Sequence, residues 1–85
     1  MYKVILQRQP ESYYRRAGRD AAARLEKCFE SLEENPFIKT NKALKGEFKE
    51  LYRARVGNLR VVYSVNKAEM TVHVLAILPR GDVYR

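Results

Sequence analysis

The chain has one cysteine, one histidine and no tryptophan among its 85 residues, with only four glycines and three prolines. A lone cysteine, Cys28, closes no internal disulfide and anchors no cysteine-rich metal site, which fits a reducing compartment. A lone histidine, His73, leaves no pair of imidazoles to act as acid and base, and it reads as a partly buried strand residue among apolar neighbours. The scarcity of glycine and proline excludes collagen and low-complexity disorder. No window approaches the ~18 uninterrupted apolar residues of a membrane-spanning helix, and the longest apolar run is Val74 to Leu78. Residues Met1 to Leu6 lack a basic lead followed by a long apolar stretch, so no secretory signal is expected. Neither phosphate-cradling glycine motif is present, and Ser12, Ser31 and Ser64 have no nucleophile-elbow context. The expectation is a cytoplasmic protein with no cofactor, no metal and no membrane partner.

What is there is a globular composition, 46% hydrophobic and 32% charged. Size scaling gives a folded chain of this mass roughly 64% burial of its unfolded surface, enough for one thin core and a single domain, residues 1–85. Basic residues outnumber acidic ones 17 to 10, a formal charge of +7. The excess is local. Residues 39–60 carry Lys39, Lys42, Lys45, Lys49, Arg53, Arg55 and Arg60 against Glu47 and Glu50, a net +5, while residues 1–35 are close to neutral. A basic middle beside a neutral first half reads as a surface for a polyanion.

Tyr2 to Arg8 has strand propensity and is stopped by Gln9-Pro10. Pro10 suits the first turn of a helix, with Glu11 at the positive end of its dipole. This helix carries Tyr13 and Tyr14 and breaks at Gly18. Arg19 to Glu34 is the clearest helix: Leu25, Cys28, Phe29 and Leu32 form one apolar stripe, Asp20 charges the first turn, and Asn35-Pro36 ends it. Phe37 to Gly46 reads as a polar connection. Phe48 to Val56 and Leu59 to Val65 alternate as strands joined at Gly57-Asn58, a tight hairpin signal. Asn66 to Glu69 turns the chain again. Met70 to Leu78 is apolar enough to be an inner strand. The order β-α-α-β-β-β predicts a two-layer α+β fold: an N-terminal strand, a helical hairpin, then an antiparallel three-stranded meander.

Alternation places Arg53 and Arg55 on one face ~7 Å apart, and the hairpin brings Arg60 alongside. Guanidinium groups bind phosphate oxygens in pairs and keep their charge at any working pH. Arg80 and Tyr84 close the chain. The alternative is a solvated sheet face whose arginine stems cover apolar surface.

Four segments carry a resemblance to a known family: Leu32-Glu33-Glu34-Asn35-Pro36-Phe37, Leu44-Lys45-Gly46, the hairpin from Leu51 to Tyr63, and Leu78-Pro79-Arg80-Gly81-Asp82-Val83-Tyr84-Arg85. In this order and spacing the chain resembles the RelE/ParE toxin superfamily of toxin–antitoxin systems, closest to its RelE branch. The resemblance implies a ribosome-dependent mRNA endonuclease that cuts in the ribosomal A site, using the 2′-hydroxyl as nucleophile and no metal. It assigns Arg53 and Arg55 to holding the backbone and activating the 2′-hydroxyl, Arg60 to the transition-state phosphate, Arg80 to the leaving oxygen and Tyr84 to the reacting nucleotide. Lys45 and Lys49 join Arg53, Arg55 and Arg60 as nucleic-acid-binding residues. The strand pair is Arg-Arg where the family often has Lys, and an arginine is a poor proton acceptor, which leaves Tyr84 the better general base. The implied partners are a RelB-like antitoxin, the ribosome and mRNA, with the toxin alone as a monomer or bound in a hetero-oligomer. The rival reading is a ParE-like inhibitor of DNA gyrase.

Overall fold

A computed structural model describes residues 1–38, residues 51–79 and the backbone of residues 42–43. Seven elements follow in order: β1 (Lys3–Leu6), α1 (Arg8–Arg16), α2 (Arg19–Glu34), β2 (Lys42–Ala43), β3 (Leu51–Val56), β4 (Leu59–Asn66) and β5 (Thr71–Pro79). They build one five-stranded sheet in the order β1-β5-β4-β3-β2. The expected meander is present as β3, β4 and β5, each antiparallel to the next. The N-terminal strand joins it in parallel, Lys3 against Thr71 through Leu6 against Val74, so the sheet is mixed. β5 is therefore an inner strand, as its apolar run requires.

Some boundaries differ from the sequence reading. β1 ends at Leu6, Gln7 is the extended residue before α1, and the helix starts at Arg8, which puts Pro10 inside the first turn. The two-residue strand β2 lies within the segment read as a polar connection. Phe48 to Glu50, expected in the strand before the hairpin, lie outside the described residues. α2 spans the expected residues, with Gly18 as its N-cap and Asp20 in its first turn.

Both helices cover one face of the sheet. Leu25 and Leu32 from α2 meet Ala54, Val61, Tyr63, Val72, Val74 and Ile77 in the core, with Cys28 and Phe29 packed against it. Ala54 pairs with Val61 and Tyr52 with Tyr63, so the core-facing residues of β3 and β4 follow the expected alternation. Tyr63 is fully buried and its hydroxyl donates to the Pro36 carbonyl at 2.6 Å, pinning the chain where it leaves α2. Its ring stacks on Tyr52, which meets Phe37 edge-on, which in turn meets Tyr2. The helices are tied to each other by the Tyr14 hydroxyl, which donates to Glu26 at 2.5 Å. That bond to a carboxylate holds the phenol above its ordinary pKa.

The turn between β3 and β4 has Gly57 at φ +57°. A positive φ at the first loop residue alone is the pattern of a type II′ turn, which suits the twist of the strands. A β-carbon at Gly57 would lie 2.9 Å from Arg24 Nη1, the movable end of a flexible side chain, so it is the backbone conformation that favours glycine there.

Burial pushes the Cys28 thiol up to about 11. Below the thiol's unfolded value of ~8.5 its contribution to stability is fully present, and it is lost as pH rises from there through about 11. At pH 8 the native thiol is expected to alkylate with iodoacetamide roughly 100-fold more slowly than the denatured one, because the thiolate is the nucleophile. Equal rates in the two states would show that the side chain is open to solvent.

Candidate functional site

The face of the sheet away from the helices carries the arginines. β3 presents Arg53 and Arg55 there, because Ala54 between them is buried in the core. Arg55 lies directly across from Arg60, and Arg53 across from Val62. Residues paired in this way have β-carbons ~5 Å apart, and alternate residues on one strand sit ~7 Å apart. The three guanidinium stems therefore rise from a patch the size of one or two nucleotides.

The patch is electrostatically unbalanced. Like charges directly opposite each other on a sheet are destabilising. Among the described residues the ion pair is Arg15 with Glu11 on α1, and no carboxylate contacts Arg53, Arg55 or Arg60. Arg53 and Arg60 are half-buried and Arg55 is exposed. Among the described residues the buried Nε of Arg60 has no hydrogen-bond partner. A donor in that state costs free energy that an incoming acceptor would recover.

Along the same face β4 adds Ser64, which lies opposite His73 of β5. His73 is half-buried, and its Nδ1 lies 3.3 Å from the Gln7 side-chain amide. This is the strand role expected for it. Among the described residues no group of three or more His, Cys, Asp or Glu side chains is placed to hold a metal.

Arg80, Tyr84, Lys45 and Lys49 lie outside the described residues. The structure thus brings together three of the residues expected from sequence. β5 ends at Pro79, which pairs with Leu59, the residue before Arg60, and Arg80 follows Pro79 directly in the chain. A cleft of about 890 Å³ between α1 and the start of α2 is lined by Arg8, Ser12, Tyr13 and Arg16 among others. It belongs to the helical layer and shares no residue with the arginine face.

A mixed sheet with two helices on one face and an arginine hairpin on the other defines a small basic α+β domain. A family model described as the ParE toxin of type II toxin–antitoxin systems matches residues 5–84. The chain belongs to this family, within the RelE/ParE superfamily, and is a toxin of the type II class. Among solved structures it is similar to the archaeal RelE–RelB complex from Pyrococcus horikoshii, with 29% identity and a TM-score of 0.82 over 96% of this chain and 98% of that one. It is similar to the toxin–antitoxin complex RelBE2 from Mycobacterium tuberculosis, with 26% identity and a TM-score of 0.78 over 93% and 98%. The isolated Escherichia coli RelE toxin shares the fold, with 23% identity and a TM-score of 0.81 over 94% and 85%. No curated protein matches the chain. Among the described residues no helix is long and apolar enough to cross a membrane.

Proposed function

We propose that the protein is a ribosome-dependent endoribonuclease that cuts mRNA in the ribosomal A site and so stops translation. The observation that carries this reading is the uncompensated arginine face: Arg53, Arg55 and Arg60 crowd together with no carboxylate in contact among the described residues. In the proposed reaction the 2′-hydroxyl loses its proton and attacks the adjacent phosphorus, and the bond to the 5′-oxygen breaks. The products are a 2′,3′-cyclic phosphate and a 5′-hydroxyl. Arg53 and Arg55 hold the backbone phosphates. Arg60 donates to the phosphoryl oxygens as negative charge builds on them, which is where positioned cations lower a phosphoryl-transfer barrier most. An arginine is a poor base at neutral pH, so Tyr84, as its phenolate, takes the 2′-hydroxyl proton, while Arg80 stabilises the leaving 5′-oxygen, which takes up a proton from water to become the 5′-hydroxyl.

The protein acts in the cytoplasm and is held inactive by a RelB-like antitoxin. The complexes from Pyrococcus horikoshii and Mycobacterium tuberculosis support such a partner. An acidic segment of that partner laid over the arginine face would exclude RNA.

Primer extension on a defined message in a purified translation system tests the reading, with ribosome-free RNA and Arg80→Ala as controls. Cuts within A-site codons that need ribosomes and vanish with Arg80→Ala are expected. The double substitution Arg53→Glu with Arg55→Glu is expected to weaken ribosome association and flatten its dependence on salt, by about one unit of log–log slope for each phosphate no longer neutralised. An unchanged slope removes these residues from the phosphate-binding face. The ParE description of the matching family gives the gyrase reading its support. Intact message together with blocked supercoiling by purified gyrase would establish that reading instead.

A further inference from the structure

β1 stops at Leu6, opposite Val74, and the last bond of that ladder runs from the Gln7 N–H to the Val74 carbonyl at 3.0 Å. β5 runs on to Pro79. Its last five residues therefore extend beyond the strand that flanks them on that side. Leu75 is bulged: Tyr63 opposes Val74 and Val62 opposes Ala76, so one residue of β5 is unmatched. The extra residue reverses the alternation, and Val74 and Ile77, three positions apart, both point into the core with no exposure. The backbone groups of Ile77 turn outward to the open edge.

Gln9 meets them there. Its Nε2 donates to the Ile77 carbonyl at 2.8 Å, and the Ile77 N–H donates to its Oε1 at 2.8 Å. One carboxamide supplies the acceptor and donor that a neighbouring strand residue would have presented. Gln9 sits in the first turn of α1, a helix packed along β5. Its side chain ties this helix to the strand two residues before the chain passes Pro79.

We propose that Gln9 is a positioning residue: by clamping Ile77 it fixes the end of β5 against the arginine hairpin, where the next residue, Leu78, lies opposite Arg60. Gln9 acts through the strand and touches no substrate. The consequence for cleavage rests on the nuclease reading given above. A displacement of about 1 Å at the end of β5 is enough to slow a reaction that depends on aligned groups by up to ~100-fold.

The test compares Gln9→Ala, Gln9→Glu and Leu32→Ala in the full-length protein, all below their unfolding temperatures. Leu32→Ala weakens the core from α2 and serves as the control for lost stability alone. For Gln9→Ala the cleavage rate at saturating toxin is expected to fall roughly 10–100-fold, while the half-saturating toxin concentration stays within about threefold. Amide hydrogen exchange is expected to accelerate at Ile77 and Leu78 and not in β3. Gln9→Glu keeps the acceptor for the Ile77 N–H but sets a carboxylate against the carbonyl, and is expected to lose rate as well. Leu32→Ala is expected to cut at the wild-type rate. A wild-type rate for Gln9→Ala would overturn the proposal, as would an equal loss of rate in Leu32→Ala. Should the wild-type protein leave the message intact, the nuclease reading fails and exchange alone decides the clamp. Faster exchange confined to Ile77 onward would then sustain it, and unchanged exchange would overturn it.

Discussion

Arg60→Ala is expected to slow cleavage of ribosome-bound message by about 10²–10³-fold, the usual effect of removing one donor aimed at developing charge. The melting temperature is expected to hold or rise slightly. The two expectations point in opposite directions for one reason. Arg60 lies directly opposite Arg55 and, among the described residues, has no carboxylate in contact and buries an Nε without a hydrogen-bond partner. Removing it relieves like-charge repulsion and an unpaired donor, each a liability to the folded state. On the nuclease reading, the same features would serve a phosphoryl group arriving with negative charge. Cleavage by primer extension and unfolding by circular dichroism on one preparation decide the matter. A melting temperature several degrees lower, with cleavage reduced only in proportion to the folded fraction, would make Arg60 a packing residue.

Leu25→Ala is expected to cost about 2–5 kcal/mol of stability, the range for truncating a buried leucine. Leu25 has no exposed surface and belongs to the core cluster shared by α2 and the sheet. A chain of this length has only about 4–13 kcal/mol in total. In a domain this small each kcal/mol lowers the melting temperature by roughly 4–8 °C. Denaturant titration should show a lower midpoint with an unchanged slope. A loss below about 1 kcal/mol would mean that α2 settles into the space left behind, and that the thin core is softer than its burial suggests.

The two predictions rest on features of unequal legibility. Leu25 belongs to a stripe visible as Leu25, Cys28, Phe29 and Leu32, and α2 runs over the residues that this periodicity marks. Local signals suffice there, as they do for Gly57-Asn58 and for the alternation that sets Arg53, Arg55 and Arg60 on one face. The pairing of β1 with β5 leaves no such trace, because parallel partners far apart in sequence share no turn. Gln9 reads in the sequence only as part of a turn before Pro10. Its role depends on the bulge at Leu75, and a bulge inside an apolar run breaks no pattern that the eye can follow. The charge repulsion between Arg55 and Arg60 needs the register as well, since a slip by one residue would set Arg60 on the other face.

The parallel partnership of β1 and β5 also bears on how the molecule comes into being. Lys3 to Leu6 are made early, yet their partners are Thr71 to Val74. At about 5–20 residues per second, the first strand waits several seconds for the last. The hairpin of β3 and β4, whose contacts are local, needs no such delay. During synthesis the arginine-bearing hairpin therefore has its pairing available before the sheet does. The apolar side of β1 meanwhile has no strand beside it, an exposed edge of the kind that chaperones or an early-binding partner would cover.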